Sequence, residues 1–148
     1  MSCFDVILVA QREPYMIERT IRAIRRQTFT HIRLIVVLSK EQLAVHEKLT
    51  LLLNDQDVIV EVSESANHTI RRSEGLAQVK SEFVLYWEDN VTCQPNFFED
   101  LYVALKADPS SFAFDVSIMI AKEYRNDQVA DVYNVSAFNA SSDDQYVY

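Results

Sequence analysis

One glycine and three prolines punctuate a chain of 148 residues, and that scarcity excludes several kinds of site. With Gly75 the only glycine, there is no GxGxxG turn, no Walker A phosphate loop and no GxSxG nucleophile elbow. Nucleotidyltransferases that cradle a triphosphate on a glycine-rich first loop are disfavoured for the same reason. Cys3 and Cys93 lie too far apart for metal-ligand spacing, and no base has a predictable place beside Cys93 to make it a nucleophile. No apolar run approaches the ~20 residues that span a bilayer. The opening MSCFDVILVA has neither a basic leader nor a small-residue cleavage site, so the expected location is cytoplasmic. The sequons at Asn67, Asn90, Asn134 and Asn139 are then coincidental.

What is present fits a single globular domain over residues 1–148: 49% of the residues are hydrophobic and 24% charged. The net charge of −8 divides unevenly, with +4 on residues 1–40 and −12 on residues 41–148. An acidic chain lacks the basic footprint of a nucleic-acid binder. It is compatible with an anionic ligand held through a divalent cation.

Along the chain, Phe4 to Ala10 and Ile32 to Leu38 are continuous apolar runs, as strands covered on both faces require. Between them a helix opens at Glu13-Pro14 and buries Ile17, Ile21 and Ile24 on one stripe. Its arginines, Arg19, Arg22, Arg25 and Arg26, form a solvated face paired to Glu18, or a surface for anionic lipid head groups. A second helix is expected from about Glu41 to Leu53, with Leu43, His46, Leu49 and Leu53 near one face. A third strand is expected over Val58 to Val62 and a third helix from about His68 to Lys80. The apolar strand Phe83–Trp87 follows and ends in Glu88-Asp89-Asn90. A fourth helix is expected from Pro95 to Ala107, then a hairpin of strands 112–121 and 128–135. Residues 136–148 read as a tail, or as an edge strand that pairs with a second copy of the chain.

Four strand–helix alternations predict a mostly parallel α/β sheet with right-handed crossovers. Such a sheet gathers Ala10-Gln11-Arg12, Leu38-Ser39-Lys40, Arg71-Arg72 and Glu88-Asp89-Asn90 along one edge. Carboxylates at a strand end opposite helix-borne arginines suit a metal–diphosphate ligand. Hard oxygens from Glu88 and Asn90 suit Mg²⁺ or Mn²⁺, and arginine pairs bidentately with phosphate. His68, at the start of the third helix, is placed either to approach a phosphate or simply as an exposed turn residue.

The order of these elements resembles a family 2 glycosyltransferase of the GT-A fold. VILVAQREPYMIERTIRAIRRQTF resembles that family's opening strand and helix, and HIRLIVVLSKEQ its second strand. RRSEGLAQVKSEFVLYWEDN resembles the Ala-Arg-Asn-x-Gly helix and the strand ending in the DxD metal motif. EDNVTCQPNFFEDL is similar to a Glu-Asp-Asp triplet with Pro-Asp-Phe-Phe in some N-acetylglucosaminyltransferases. The resemblance runs over roughly residues 4–107, a donor half, with 108–135 as hairpin and 136–148 as tail.

It implies a nucleotide-diphosphate sugar as donor, with Mn²⁺ or Mg²⁺ as cofactor. By position, Ala10, Arg12 and Ser39 fall beside base and ribose, Arg72 on the diphosphate, and Glu88 and Asn90 on the metal with Asp89 between them. Leu38 and Ser39 stand where the family carries aspartates, and Asn90 replaces the last aspartate of DxD. The family's catalytic base lies beyond the donor half, where Asp115, Glu123 and Asp131 are candidates by presence alone. Two functions follow from the resemblance. One is a small hexosyltransferase acting on a glycan, lipid or protein, its site completed by the hairpin, a second protomer or a membrane-bound acceptor. The other is an inactive relative that serves as a binding or scaffolding module.

Overall fold

The computed structural model describes residues 2–11, 14–42 and 48–108, and by backbone alone the strands 113–118 and 133–138. Contacts divide the chain into two units, Met1–Thr92 and Cys93–Tyr148.

In the first unit the chain runs β1 (Phe4–Val9), α1 (Pro14–Arg25), β2 (Ile32–Ser39), β3 (Val58–Val62), α2 (His68–Leu76) and β4 (Phe83–Glu88). The strands form one sheet in the order β3-β2-β1-β4, parallel throughout. This is the α/β architecture that the apolar runs require, since parallel neighbours need crossovers above and below the sheet. β1 and β2 are buried at every position. On α1, Ile17, Ile21 and Ile24 are buried, as their spacing demands.

β4 departs from its all-apolar sequence. It lies at an end of the four-strand order, and Val84 and Tyr86 are 40% and 45% exposed while Trp87 is buried. An unbroken apolar run carries no period to reveal such an open face.

The arginines of α1 also divide. Arg22 pairs with Glu18 one turn earlier, as expected of a solvated face. Arg25 instead reaches Asp57, whose carboxylate also accepts the amide protons of Leu34 and Asn54. Of the helix expected over 41–53, Lys48 and Leu49 are helical and run into a 3₁₀ turn at Thr50–Leu52. Another 3₁₀ turn spans Lys40–Gln42, and residues 43–47, Leu43 and His46 among them, lie outside the described residues.

α2 stops at Leu76, short of the expected Lys80, because the next residues are held from below. Asp5, fully buried on β1, accepts the amide protons of Lys80 and Ser81 at 2.6 and 3.0 Å and the Ser81 hydroxyl at 2.8 Å. Arg33, beside it on β2, donates to Asp5 at 3.1 Å and to the carbonyls of Gln78 and Gln56. Burial alone would raise the Asp5 pKa. The two amides, the Ser81 hydroxyl and the guanidinium outweigh it and hold the carboxyl below its usual range. Among the described residues no buried side-chain polar atom lacks a partner.

Gly75 sets how deep α2 lies. A Cβ there would come within 2.5 Å of Ile7 Cγ2 and 3.0 Å of Val37 Cγ2, so only glycine admits this approach of helix to sheet. The contact sits on the cluster of Ile7, Val9, Ile35, Val37 and Val62.

In the second unit α3 (Phe97–Ala107) lies against β6 (Tyr133–Phe138). β6 pairs antiparallel with β5 (Ala113–Ile118), from Ala113↔Phe138 to Ile118↔Tyr133. No helix among the described residues is long and apolar enough to cross a membrane.

Candidate functional site

From β1 the chain steps outward to β2 and β3, then returns past β1 to place β4 on its other side. The reversal falls between β1 and β4, and crevices at the carboxyl ends of such a pair are where open α/β sheets take ligands. Val9 pairs with Glu88 there, so Ala10-Gln11 and Glu88-Asp89-Asn90 leave the sheet side by side.

The acidic triplet does not act as a unit. Asp89 is turned inward, 1% exposed. Its Oδ2 accepts the Gln11 amide proton at 2.7 Å, and its carbonyl accepts the Thr20 hydroxyl of α1 at 2.9 Å. It therefore ties the ends of β1 and β4 to α1. Trp87 donates its indole N–H to the Val91 carbonyl at 3.0 Å, which closes the turn around Glu88, Asp89 and Asn90. Glu88 faces outward with its side chain 44% exposed, and Asn90 is half-buried.

α2 delivers the cations. Asn67 caps it by accepting the Ile70 amide proton at 2.9 Å. Arg71 turns in and is nearly buried, its guanidinium donating to the carbonyls of Ala66 and Glu64 at 2.9 and 3.4 Å. Arg72 turns the other way, with its guanidinium carbon 5.1 Å from the centre of the Tyr86 ring and Nη2 3.0 Å from Glu88 Oε1. His68 spans the crevice: Nε2 lies 3.5 Å from the same Glu88 oxygen and Nδ1 lies 3.3 Å from Gln11 Oε1.

Beside this cluster is a cleft of about 630 Å³ lined by Gln11, Met16, Ser39, Glu41, Gln42, Glu64 and Arg71. Such a volume lies in the range of small-molecule and cofactor sites. Its lining offers amides, a guanidinium and two carboxylates. Gln42 is fixed at its rim, with Oε1 accepting the Ser39 amide proton at 2.9 Å.

Of the residues expected at the site, Ser39 lines the cleft, and Arg72 and Glu88 meet at its neighbouring edge. Ala10 has no exposed surface; its amide donates to the Val37 carbonyl, so it shapes the turn from within. Asp89, read as part of the ligand-facing triplet, is turned inward in this structure. Its carboxylate already holds a backbone amide and is shut off from solvent. Arg12, Glu123 and Asp131 lie outside the described residues, as does the side chain of Asp115. Leu38 is wholly buried, so the last residues of β2 turn only Ser39 toward the cleft. Sequence reasoning left out Glu64 and Gln42, and named Glu41 only as a helix start. The signal available was positional: Glu64 and Gln42 both lie within three residues of a strand's carboxyl end, β3 and β2, at the same sheet edge.

For a divalent cation the donors are sparse. Among the described residues no three His, Cys, Asp or Glu side chains group to hold one. Glu88 is an accessible carboxylate and Asn90 supplies an amide oxygen two residues on. Two such oxygens would leave most of the ligands of a Mg²⁺-like ion to phosphate oxygens and water.

Comparison with known proteins agrees with this architecture. The profile of glycosyl transferase family 2 matches residues 5–145. No curated protein matches the chain. Among solved structures, S. aureus TarS superposes with a TM-score of 0.64 at 21% identity, covering 87% of this chain and 23% of that one. TarS 1–349 in complex with UDP gives a TM-score of 0.67 at 20% identity, over 86% of this chain and 38% of that one. The complex with UDP-GlcNAc gives 0.64 at 19% identity, over 86% and 37%. Identities this low speak to the fold alone, and the chain spans well under half the length of each of these neighbours.

Proposed function

The chain belongs to glycosyl transferase family 2, and from that premise we propose that it binds a nucleotide-diphosphate sugar at the carboxyl edge of its sheet and transfers the hexosyl group to an acceptor. The donor is a uridine diphosphate sugar, the class that the neighbour TarS 1–349 binds as UDP-GlcNAc. The observation that carries the reading is the meeting of Arg72 and Glu88 beside a polar cleft of nucleotide size, linked to it through His68 and the cleft residue Gln11.

In this reading the nucleoside enters the cleft. The carboxylates of Glu41 and Glu64 accept from ribose hydroxyls or base N–H groups, a task that Leu38 and Ser39 leave unfilled. Gln42 and Gln11 offer amide donors, and Arg71 adds positive charge at the cleft wall. Arg72 pairs with the diphosphate through charge-assisted hydrogen bonds. A bound Mg²⁺ or Mn²⁺, held by Glu88 and Asn90, would neutralise charge that builds on the departing diphosphate. Tyr86 stacks on Arg72 and limits its rotamers, which keeps the guanidinium aimed.

Calorimetric titration with UDP, with and without Mn²⁺, tests the proposal. Mn²⁺-dependent binding is expected, and Arg72→Ala and Glu88→Ala are expected to weaken it by roughly tenfold or more. Absence of binding to UDP and GDP at millimolar concentration would overturn it. A second reading, a binding module without turnover, is favoured by the buried Leu38 and the inward Asp89, which leave fewer donor-gripping carboxylates than the family pattern. UDP binding without release of sugar to water or to any acceptor in a panel would select it.

A further inference from the structure

Two side-chain nitrogens, one from each of two positions on α2, converge on a single oxygen of β4. Glu88 Oε1 lies 3.0 Å from Arg72 Nη2 and 3.5 Å from His68 Nε2. The three side chains are 44%, 38% and 35% exposed, so Glu88 is not locked in by packing and can rotate away. Arg72 and His68 are better fixed. The arginine lies on the Tyr86 ring, and His68 contacts Gln11 through its other nitrogen. The fixed part of the cluster is therefore a notch walled by the Arg72 guanidinium and the His68 imidazole, and the movable part is an anion that fills it.

We propose that this notch is the seat of the donor's terminal phosphate group, that His68 contacts that group alongside Arg72, and that Glu88 is an internal stand-in which the phosphate displaces. This rests on the reading of the cleft as a nucleotide-sugar site and adds a residue and an order of events to it. When a phosphate oxygen takes the place of Glu88 Oε1, the carboxylate is released toward solvent at the moment a diphosphate arrives nearby. Glu88 thus opposes the diphosphate when no cation is present and assists it when one is. The metal and the diphosphate then bind with positive cooperativity, because each relieves the other of a partner.

The opposing roles predict a change of sign. Phosphorus NMR titrations with inorganic pyrophosphate, in EDTA, would be made on the wild type, Glu88→Gln, His68→Gln and Arg72→Gln. Glu88→Gln should bind pyrophosphate roughly two- to fivefold tighter than wild type, the scale of an exposed ion pair removed from competition. His68→Gln and Arg72→Gln should bind it more weakly. In Mn²⁺ with UDP, Glu88→Gln should become the weak binder. UMP, which lacks the terminal phosphate, should bind His68→Gln as it binds wild type.

Unchanged or weaker pyrophosphate binding by Glu88→Gln in EDTA would overturn the stand-in. Wild-type pyrophosphate and UDP affinities in His68→Gln would remove the histidine from the site. If pyrophosphate shows the predicted pattern while UDP does not bind at all, the notch stands and the nucleotide reading falls. If UDP binds but the sign does not reverse, the notch falls and the nucleotide reading stands.

Discussion

The same pair of side chains, a carboxylate and an arginine, closes both ends of the ground beneath and beside α2, with opposite consequences. At the amino edge of the sheet, Asp5 and Arg33 are 0% and 7% exposed, paired with each other and bonded to backbone, including that of Gln78, Lys80 and Ser81 just after the helix. At the carboxyl edge, Glu88 and Arg72 are 44% and 38% exposed and their contacts are with other side chains. The first pair cannot separate without leaving charge in the core. The second separates at little cost. One end anchors the helix, and the other presents what it carries.

The strongest test of that contrast is removal of the anchor. Asp5→Ala leaves the Arg33 guanidinium and two amides without their acceptor and should lower unfolding free energy by about 3–5 kcal/mol in urea titrations. A loss under about 1 kcal/mol would erase the distinction. Acid should act on the same group. The folded pKa of Asp5 lies below the ordinary 3.8, so its stabilisation is complete above that pH and is lost as the pH falls through the lower, folded value. Urea midpoints of wild type and Asp5→Asn measured from pH 6 to pH 2.5 should therefore converge in acid.

Next in size is Gly75→Ala. Its methyl would press on Ile7 and Val37, and overpacking should cost about 1–3 kcal/mol, opposed by alanine's better helix propensity. The same variant should weaken UDP binding, because the lift is passed along the helix to Arg72. Weaker stability with unchanged binding would show that the two ends of α2 are uncoupled. Smallest is Glu88→Gln, whose unfolding free energy should stay within about 1 kcal/mol of wild type. A larger loss would make the carboxyl-edge pair a structural one.

How much of this was legible in the sequence depended on the range of the interaction. β1 and β2 announced themselves as unbroken apolar runs, and the isoleucines of α1 by their spacing, because burial on a sheet or helix is a local periodic signal. The parallel order and the edge on which Ser39, Arg72 and Glu88 gather followed from strand–helix alternation. The open face of β4 did not, since Phe83–Trp87 reads the same whether one face is covered or two. Neither did the partner of Arg25, which is Asp57, more than thirty residues on. Within Glu88-Asp89-Asn90 three polar residues in a row gave no hint that the middle one turns inward. That direction is set by the Gln11 amide and the Thr20 hydroxyl, both nearly 70 residues or more away.

The indole of Trp87 has a use beyond closing the turn. It is the only tryptophan in the protein, next in sequence to Glu88, and its N–H is spent on Val91. Intrinsic emission excited at the indole band therefore comes from one residue, and that residue holds the turn. A ligand that draws Glu88 away from Arg72 should register as a change in wavelength or intensity without any label. Stopped-flow mixing would then read the order in which cation and diphosphate arrive, directly from the molecule's own light.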